Sequence, residues 1–565
     1  MPDPLRLDRY KGRPPGVHLE WTARERNPDS SLRPLRTDIA GFVGLAESGP
    51  VDNPLPVESA DEFRTHYGRP VPGGFLAAAV RGFFANGGRR AWIVRVAGPN
   101  VRPAFGRTWL DDDTVIEVTA ASPGAWANGL RVSFGPARPN SVRIRVETPD
   151  GGLADERILL PEGFARANVL AGGGVPELTT SLIRVTPRFT PPSGALAAPR
   201  DVLGTLRKVL ESKHGWTTVE LGKDEWAKGA DDLEELTARD LLGTENSSEP
   251  GRGLDLLDQV DEVSLVAIPD LHATASASTT APTRFGADAI LQAQSALVGR
   301  CRGLGDRVAL LDPPREIASF VPLHDMGHRS LVEWADAVGG SFAAAYWPWL
   351  LVPPPSGSGD ALPVPPSGHV AGLIARTDTA YGVYRAPANL PLQDVADLVE
   401  RVDDEDAGFL NEAGVNVIRV VPGHGIRPMG ARTLARPEDF AWRYLNVRRL
   451  VSMIGEALAR EAGWTVFEPQ GPTLWRAIER TARALLDRLW RQRALGGASP
   501  DDAFDVRCDA TTNPPQEQDQ GRVVCVLRLL PSLPAEQVVI RISLDAAGFA
   551  AEAVPDAVAA GGFNG

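Results

Sequence analysis

Cysteine is scarce in this sequence, and long apolar runs are missing. The 565 residues include 3 cysteines, Cys301, Cys508 and Cys525, which are too few and too scattered for a disulfide framework or a four-thiolate zinc site. A reducing compartment therefore fits best. The longest apolar stretch, residues 342–352, is short and interrupted by a proline, and residues 1–16 are polar and proline-rich. We therefore expect neither a membrane span nor a secretory signal.

Net positive charge is also missing. The chain has 59 lysines and arginines against 72 aspartates and glutamates, a net charge of -13. Binding to DNA or RNA phosphates needs a basic face, so we expect no nucleic-acid partner. The 43% of hydrophobic residues and 23% of charged residues exclude wholesale disorder and a coiled-coil rod. A chain of this length has room for about three to four domains.

Sequence motifs for catalysis and for cofactor binding are absent. No Gly-Lys-Ser/Thr tripeptide follows a glycine run, and no Gly-x-Ser-x-Gly elbow occurs. His324 and His328 lie four residues apart and could share a helix face, as in zinc proteases. However, Asp325 replaces the glutamate of that motif, and Gly327 weakens the helix. We therefore expect no catalytic residue, no cofactor and no metal site, and we keep an α/β-fold enzyme that uses the two histidines as the rival hypothesis.

The order of predicted elements indicates a mixed α/β protein of several domains. An apolar strand at 39–45, two helices and a strand at 91–96 are typical of an α/β layer. Strands between glycine and proline turns then predict an inserted, mostly β domain, after which the α/β pattern returns. A proline cluster at 353–366 indicates a boundary before the last unit. The predicted divisions are an N-terminal arm at 1–35, a middle α/β domain at 36–105 and 191–355, an inserted β-rich outer domain at 106–190, a C-terminal α/β core domain at 366–535, and a C-terminal strand with a flexible tail at 536–565.

Each end of the chain carries a lone alternating strand next to a flexible segment. Apolar residues alternate with polar ones in both, as expected for a strand with one buried face. The apolar positions are Val17, Leu19 and Trp21 near the N-terminus and Ile540, Ile542 and Leu544 near the C-terminus. We therefore predict one strand at each end of the chain.

Residues 472–495 have the pattern of an amphipathic helix with an arginine stripe. At about 100° per residue, Leu474, Leu485 and Leu489 fall on one arc. The opposite arc holds Arg476, Arg480, Arg483 and Arg491, with Asp487 among them. On a chain of net negative charge, this stripe is a candidate docking face for an acidic partner. A solvated face with internal ion pairs to Asp487 is the alternative.

Short motifs along most of the chain resemble those of contractile phage tail sheath proteins and related contractile injection systems. The motifs occur in the order that the family has. They are TDIAGFVG at 37–44, FFANGG at 83–88, SPGAWAN at 122–128, YWPW at 346–349, PPSGHVAG at 365–372, GVYRAPAN at 382–389, GARTL at 430–434 and YLNVRR at 444–449. No such motif is recognised in residues 140–254, and their role is left open.

The resemblance implies a structural subunit and no chemical reaction. Copies of the chain would stack as six-subunit rings around an inner tube, and the sheath would shorten and widen to drive the tube through a target envelope. The implied partners are other copies of the chain, the inner tube protein, and baseplate and terminal cap proteins, without direct insertion into a membrane. The resemblance also implies assembly in the cytoplasm of a bacterium, before the sheath becomes part of a phage tail or injection particle.

The resemblance gives the terminal strands and the arginine stripe a role. In the family, terminal arms add strands to the sheets of neighbouring subunits, which would resolve the aggregation risk of an exposed alternating strand. The domain at 366–535 would face the inner tube, and its sheet would be completed by these strands. The stripe of Arg476, Arg480, Arg483 and Arg491 would dock on the tube. A two-chain secretion-system sheath, recycled by an unfolding ATPase, is the alternative from the same class.

Overall fold

A computed structural model describes most of the chain. The described residues are 36–109, 114–136, 142–159, 178–179, 182–189, 216–243, 251–276, 281–315, 327–354, 359–462, 465, 467–536, 540–545 and 548–553. The predicted N-terminal strand with Val17, Leu19 and Trp21 lies outside these residues, and so does His324.

Strands and helices are mixed along the described part of the chain. The strands are β1 (Ala40–Leu45), β2 (Leu55–Val57), β3 (Ala91–Val96), β4 (Phe105–Trp109), β5 (Thr114–Ala120), β6 (Arg131–Pro136), β7 (Val142–Glu147), β8 (Leu153–Leu159), β9 (Leu178–Thr179), β10 (Ile183–Phe189), β11 (Thr217–Glu220), β12 (Leu265–Ala267), β13 (Val308–Leu311), β14 (Ala343–Trp347), β15 (Leu350–Val352), β16 (Leu362–Val364), β17 (Asp397–Leu398), β18 (Val415–Val421), β19 (Gly425–Pro428), β20 (Phe504–Arg507), β21 (Val526–Leu529), β22 (Ile540–Asp545) and β23 (Gly548–Ala553). The α-helices are α1 (Ala60–Tyr67), α2 (Leu76–Ala85), α3 (Ala238–Leu242), α4 (Leu254–Asp258), α5 (Ala287–Leu304), α6 (Gly327–Val338), α7 (Ser367–Tyr381), α8 (Asp404–Glu412), α9 (Leu445–Glu461), α10 (Pro472–Arg491), α11 (Pro500–Ala503) and α12 (Pro515–Asp519).

An eight-stranded sheet lies at the centre of the fold, in the order β19-β18-β14-β13-β12-β1-β3-β2. The inner strands are parallel, and the edge strands β19 and β2 are antiparallel to their neighbours. Helices α5 and α6 pack on one face, and α2 and α7 pack on the other. Burial on both faces explains why β1 is a continuous apolar run. The α/β layer predicted from residue 39 onward is therefore confirmed.

The predicted boundary at the proline cluster falls inside this architecture. β18 and β19 lie beyond residue 366, yet they form one edge of the central sheet. Pro353 and Pro354 follow β15, Pro363 lies in β16, and Pro365 and Pro366 come before α7. β15 and β16 pair with each other as antiparallel strands. A proline cluster is equally typical of a turn and of a linker, so the local sequence did not distinguish the two. The middle α/β unit therefore continues through residue 428.

Strands β4 to β11 form the inserted, mostly β unit. They make two four-stranded antiparallel sheets, in the orders β4-β5-β10-β9 and β11-β6-β7-β8. Residues from both sheets share one core, which includes Val118, Phe134 and Ile144. β11 pairs with β6, so the unit extends beyond its predicted end at residue 190. This pairing joins segments far apart in the chain, which local periodicity does not reveal.

A buried guanidinium joins the inserted unit to the central sheet. Arg95, in β3, has a side chain that is 0% exposed. It donates to the carbonyls of Ala46 (2.9 Å), Gly49 (2.7 Å) and Pro123 (2.7 Å) and to the carboxylate of Asp231 (2.7 Å). These partners lie on the loop after β1, on the turn between β5 and β6 of the inserted unit, and on the connection that follows β11, so one side chain fixes three segments.

Helices α9 and α10 and the two-stranded sheet of β20 and β21 form the C-terminal domain. Leu450 and Ile454 of α9 pack in one buried cluster with Leu485 of α10 and Phe504 of β20. An amphipathic helix buries its apolar face in this way. Among the helices of the described residues, none is both long and apolar enough to cross a membrane.

The described chain ends in a hairpin of β22 and β23. Ile540 pairs with Ala553, and Asp545 pairs with Gly548. The strand predicted at Ile540, Ile542 and Leu544 is present in this hairpin, whereas β23 occupies part of the segment predicted as a flexible tail. β23 supplies the backbone hydrogen-bond partners that β22 would otherwise lack.

Candidate assembly site

The predicted N-terminal arm joins the core next to Thr37, which a buried ion pair holds in place. The Arg449 guanidinium on α9 donates to the Asp378 carboxylate on α7, with 3.0 Å between Nη1 and Oδ1. The two side chains are 2% and 3% exposed. Arg449 Nη2 also donates to the Thr37 carbonyl (2.8 Å), and the Thr37 hydroxyl donates to Asp378. Breaking a buried, hydrogen-bonded ion pair from one side is costly, so this contact fixes the backbone at Thr37.

An open, charged cavity of about 470 Å³ lies beside Thr37. Its lining includes Arg36, Asp38, Arg89 and Asp378. Arg36 pairs with Asp38 at 2.8 Å, and Arg89 is exposed. Small-molecule sites are mostly apolar and enclosed, so this cavity has the character of a solvated surface around the root of the arm.

The C-terminal segment is held by a second ion pair, at Glu536. Arg432 donates from Nε to Glu536 Oε1 (2.8 Å) and from Nη2 to the other carboxylate oxygen. Burial opposes ionisation of Glu536, but the hydrogen bond and charge of Arg432 outweigh it and lower the pKa of Glu536 below its ordinary value. This fork-to-carboxylate geometry is the strongest form of surface ion pair. The chain therefore leaves the core at a fixed point before β22.

The sheet of β20 and β21 offers unpaired edges within the described residues. Phe504 pairs with Leu529, and Arg507 pairs with Val526. In that part of the chain, neither strand has a second strand partner. A two-stranded sheet is marginal alone and exposes main-chain donors and acceptors at its edges. It can therefore accept strands from another chain.

The structure places the arginine stripe on α10 and divides it in two. Arg483 pairs with Glu479 (3.0 Å), and Arg491 pairs with Asp487 (2.6 Å). Arg476 and Arg480 are exposed and donate from Nε to the carbonyl four residues earlier in the helix. The alternative of internal ion pairs therefore holds for Arg491 and Asp487, whereas no ion pair is found for Arg476 or Arg480 among the described residues.

The ion pairs Arg449–Asp378 and Arg432–Glu536 were not predicted from the sequence, although both arginines lie in sequence motifs. Arg432 and Arg449 lie inside the motifs at 430–434 and 444–449. Their acidic partners are distant: Asp378 lies 71 residues from Arg449, and Glu536 lies 104 residues from Arg432. Local patterns carry no information about such pairing.

Two buried carboxylates follow parallel strands of the sheet, where α/β enzymes place their active sites. Asp270 follows β12 and accepts hydrogen bonds from the amides of Leu45 (2.6 Å) and Phe75. Asp312 follows β13 and accepts from the Ser367 amide (2.8 Å). Burial raises their pKa values, to about 6 and about 7 respectively. These bonds tie the starts of α2 and α7 to the sheet, so both carboxylates act as helix caps.

Metal ligands are not grouped in the part of the chain that the structure describes. There, no group of three or more histidine, cysteine, aspartate or glutamate side chains could hold a metal ion. Of the predicted histidine pair, His328 belongs to α6, and His324 lies outside the described residues.

Two segments of the chain match known domain families. Residues 330–434 match the phage tail sheath protein central domain, and residues 438–545 match the phage tail sheath C-terminal domain. A putative prophage major tail sheath protein of Pseudomonas aeruginosa (strain UCBPP-PA14) is 27% identical over 195 residues, which cover 34% of this chain and 48% of that protein. The tail sheath protein of Enterobacteria phage T4 is 26% identical over 189 residues, which cover 33% of this chain and 28% of that protein. The matched region thus spans about half or less of these relatives.

Solved structures share the fold over nearly the whole chain. The sheath complex of the extracellular contractile injection system PVC, in its contracted state, has a TM-score of 0.51 at 18% identity and covers 95% of this chain and 98% of that one. The contracted helical sheath of the anti-feeding prophage has a TM-score of 0.50 at 21% identity, with coverage of 94% and 99%. The sheath tail protein Lin1278 of Listeria innocua has a TM-score of 0.51 at 11% identity, with coverage of 89% and 96%.

The mixed α/β fold is shared with these solved sheath proteins. Residues 330–434 and 438–545 also match the central and C-terminal domains of phage tail sheath proteins in sequence. The resemblance noted in the sequence motifs is therefore confirmed.

Proposed function

We propose that the chain is a sheath subunit that polymerises as stacked hexameric rings around an inner tube and contracts to drive the tube through a target envelope. The observation that carries the proposal is the open sheet of β20 and β21, which lies on the same domain as the anchored arm roots. α9 supplies Arg449 to the N-terminal root and Leu450 to the core beneath β20. Exposed sheet edges and strand-bearing ends on one chain complement each other when two copies meet.

The terminal segments act as links between subunits in this proposal. The strand with Val17, Leu19 and Trp21 and the strand with Ile540, Ile542 and Leu544 pair with β20 and β21 of neighbouring copies. In the single chain, β22 pairs with β23. If β22 left β23 and paired with the sheet of a neighbouring copy, the number of backbone hydrogen bonds would be kept and the area buried between chains would increase.

The proposed contraction requires no chemical reaction. The extended sheath is a metastable lattice, and the contracted one buries more surface between subunits, so a trigger has only to start the conversion. Rigid bodies rotate while the predicted terminal arms act as hinges that absorb the change. Solved sheaths of the same fold have been captured in a contracted state, which supports this part of the proposal.

The proposed partners are other copies of the chain, an inner tube protein, and baseplate and cap proteins. The exposed Arg476 and Arg480 on α10 supply the docking face for the tube. One chain matches both the central and the C-terminal sheath domain, which favours a single-chain sheath over the two-chain secretion sheath. A bound metal ion in stoichiometric amount in the purified protein would instead support the rival α/β enzyme.

Electron microscopy of the concentrated chain, alone and with a candidate tube protein, tests the proposal. We expect hollow tubes with sixfold symmetry. Deletion of residues 1–21 should abolish the tubes and leave a folded monomer, whereas deletion of residues 554–565, beyond β23, should leave tubes intact. Dispersed subunits in the presence of the tube protein would contradict the proposed function. Intact tubes after the deletion of residues 1–21 would contradict the role of the N-terminal arm.

A further inference from the structure

The ladder of β20 and β21 leads directly to a pair of facing cysteines. Its register places Arg507 opposite Val526, so the next residues along the two segments are Cys508 and Cys525. Residues opposite each other in an antiparallel ladder have Cα atoms about 4.5–5.5 Å apart, within the range that a disulfide can bridge.

A buried amide holds the segments around both cysteines. Asn513 is 0% exposed, and its Nδ2 donates to the carbonyls of Asp509 and Val524, at 3.0 Å each. Its Oδ1 accepts from the Val524 amide (2.6 Å), and its Nδ2 lies 4.0 Å from Cys508 Sγ. Asp509 adjoins Cys508 and Val524 adjoins Cys525, so the amide fixes the approach of the two thiols.

The three cysteines of the chain differ in access to solvent. Cys301 and Cys508 are buried, whereas Cys525 is partly exposed beside the C-terminal core. Burial raises the pKa of the Cys301 thiol to about 12, and no second cysteine faces it. Donation of the Cys525 thiol proton to Cys508, together with burial, raises the pKa of the Cys525 thiol well above its ordinary value. The Cys525 thiol is therefore protonated in neutral solution.

We propose that Cys508 and Cys525 form a redox site that closes as an intramolecular disulfide and locks β20 and β21 in register. The oxidant is a low-molecular-weight disulfide of the glutathione type. The Cys525 thiolate attacks one sulfur of the oxidant and releases one thiol, and Cys508 then attacks the Cys525 sulfur of the mixed disulfide and releases the second. The two thiol hydrogens of the protein end on the two released thiols, so atoms and electrons balance.

The disulfide site does not rest on the proposed function, but its consequence for assembly does. β20 and β21 are the strands to which neighbouring copies would add their own. A cross-link at the end of their ladder restricts fraying and register change of this pair. Oxidation would therefore stiffen the acceptor sheet.

Treatment of the full-length folded chain with oxidised glutathione, followed by non-reducing peptide mapping, tests the proposal. We expect the intact mass to fall by one pair of hydrogen atoms, with a peptide that joins Cys508 to Cys525 and Cys301 left reduced. Since the reaction needs a thiolate, its rate should rise about tenfold per pH unit while the pH stays below the thiol pKa. The Cys301→Ala variant should react like the unmodified chain, and Cys525→Ala should leave Cys508 reduced.

Three outcomes would overturn the proposal. They are a stable glutathione adduct at Cys525, cross-links between chains, and formation of the bond only after unfolding in urea.

Hydrogen exchange of the unmodified chain before and after oxidation tests whether the disulfide locks the two strands. The amides of β20 and β21 should exchange about tenfold more slowly after oxidation, with α5 unchanged, and equal rates would refute the lock. Neither measurement depends on tubes, so a failure here is distinct from a failure of the proposed function.

Discussion

Single buried polar side chains connect segments that lie far apart in this chain. Arg95 joins the inserted unit to the central sheet, and Arg449 joins α9 to α7 and to Thr37. Burial of a guanidinium carries a desolvation penalty, which is offset when its N–H groups find acceptors. Removal of such a residue therefore leaves several carbonyls and a carboxylate without their donor.

Arg95→Met tests this at the junction of the inserted unit. We expect the variant to lose about 3–5 kcal/mol of stability, because the buried carbonyls and Asp231 lose their donor. Arg64 offers a control, since its ion pair with Asp61 has side chains that are 70% and 85% exposed. Arg64→Met should change stability by less than about 0.5 kcal/mol. The midpoints of urea unfolding of the two variants test this prediction. Equal midpoints would mean that Arg95 does not stabilise the junction.

Asp312 gives the fold a pH dependence of definite sign. Burial raises its folded pKa to about 7, whereas an unfolded aspartate has a pKa of about 3.9. Between these values the folded chain holds a proton that the unfolded chain has lost. The stabilising contribution of protonated Asp312 is therefore fully present below about pH 4 and is lost as the pH rises toward about 7.

Asp312→Asn removes this titration and keeps an acceptor for the Ser367 amide. We expect the stability of the variant relative to the unmodified chain to increase by roughly 3–4 kcal/mol between about pH 4 and about pH 7. Urea unfolding of both proteins at several pH values gives this difference, in which the contributions of other titrating groups cancel. A difference that stays constant with pH would mean that Asp312 titrates normally in the folded chain.

At the scale of elements, the crossing of α2 and α7 depends on glycine. A Cβ on Gly368 would lie 2.4 Å from the Cα and carbonyl oxygen of Ala79, and a Cβ on Gly372 would lie 2.2 Å from the carbonyl oxygen of Phe83. Real Cβ atoms do not approach backbone this closely, so the two helices touch only because these positions lack a side chain.

Gly368→Ala should therefore force α7 away from α2. We expect a loss of about 1–3 kcal/mol, the usual effect of overpacking. Gly408 on α8 is the matched control, because a Cβ there meets nothing within 4 Å. Gly408→Ala should stabilise the chain by about 0.5–1 kcal/mol through helix propensity. Thermal unfolding of both variants separates the two effects, and a stabilising Gly368→Ala would contradict the close crossing.

The sequence predicted element types better than element partners. β1 was predictable because burial on both faces makes a strand a continuous apolar run. α10 was predictable because burial of one helix face leaves a periodic apolar pattern. The pairing of β14 with β18 was not, since the proline cluster between them resembles a linker. The arginine stripe was correctly placed on α10, but its division into paired and unpaired halves depends on rotamers that spacing alone does not specify.

At the scale of the whole molecule, the ion pair of Arg432 and Glu536 sets where the C-terminal segment leaves the core. Glu536→Arg should place two cations together and misdirect the segment. We expect the subunit concentration needed for tubes to rise by about tenfold or more, equivalent to about 1.4 kcal/mol. Adding Arg432→Glu reverses the pair and should restore much of the assembly.

Arg436 provides the control for this charge swap, because it is exposed and lies four residues beyond Arg432. Arg436→Glu should leave the concentration for tube formation nearly unchanged. Electron microscopy or sedimentation over a range of subunit concentrations measures all the variants. If the swapped pair assembled no better than Glu536→Arg alone, the pair would not be what directs the segment.

In the proposed sheath, attachment to the inner tube should depend on Arg476 and Arg480, the exposed half of the arginine stripe. Arg476→Glu with Arg480→Glu reverses two exposed charges that the helix does not neutralise, and we expect tube retention at low salt to fall about tenfold or more. Arg491→Glu, which removes a cation already paired with Asp487, should have a smaller effect. Cosedimentation of sheath and tube over a salt series measures both. Salt screens exposed charges, with a screening length of about 10 Å at 0.1 M. Tube retention by the unmodified sheath and by the double variant should therefore become equal at high salt. If the two showed the same salt dependence at all concentrations, the tube contact would lie elsewhere on the subunit.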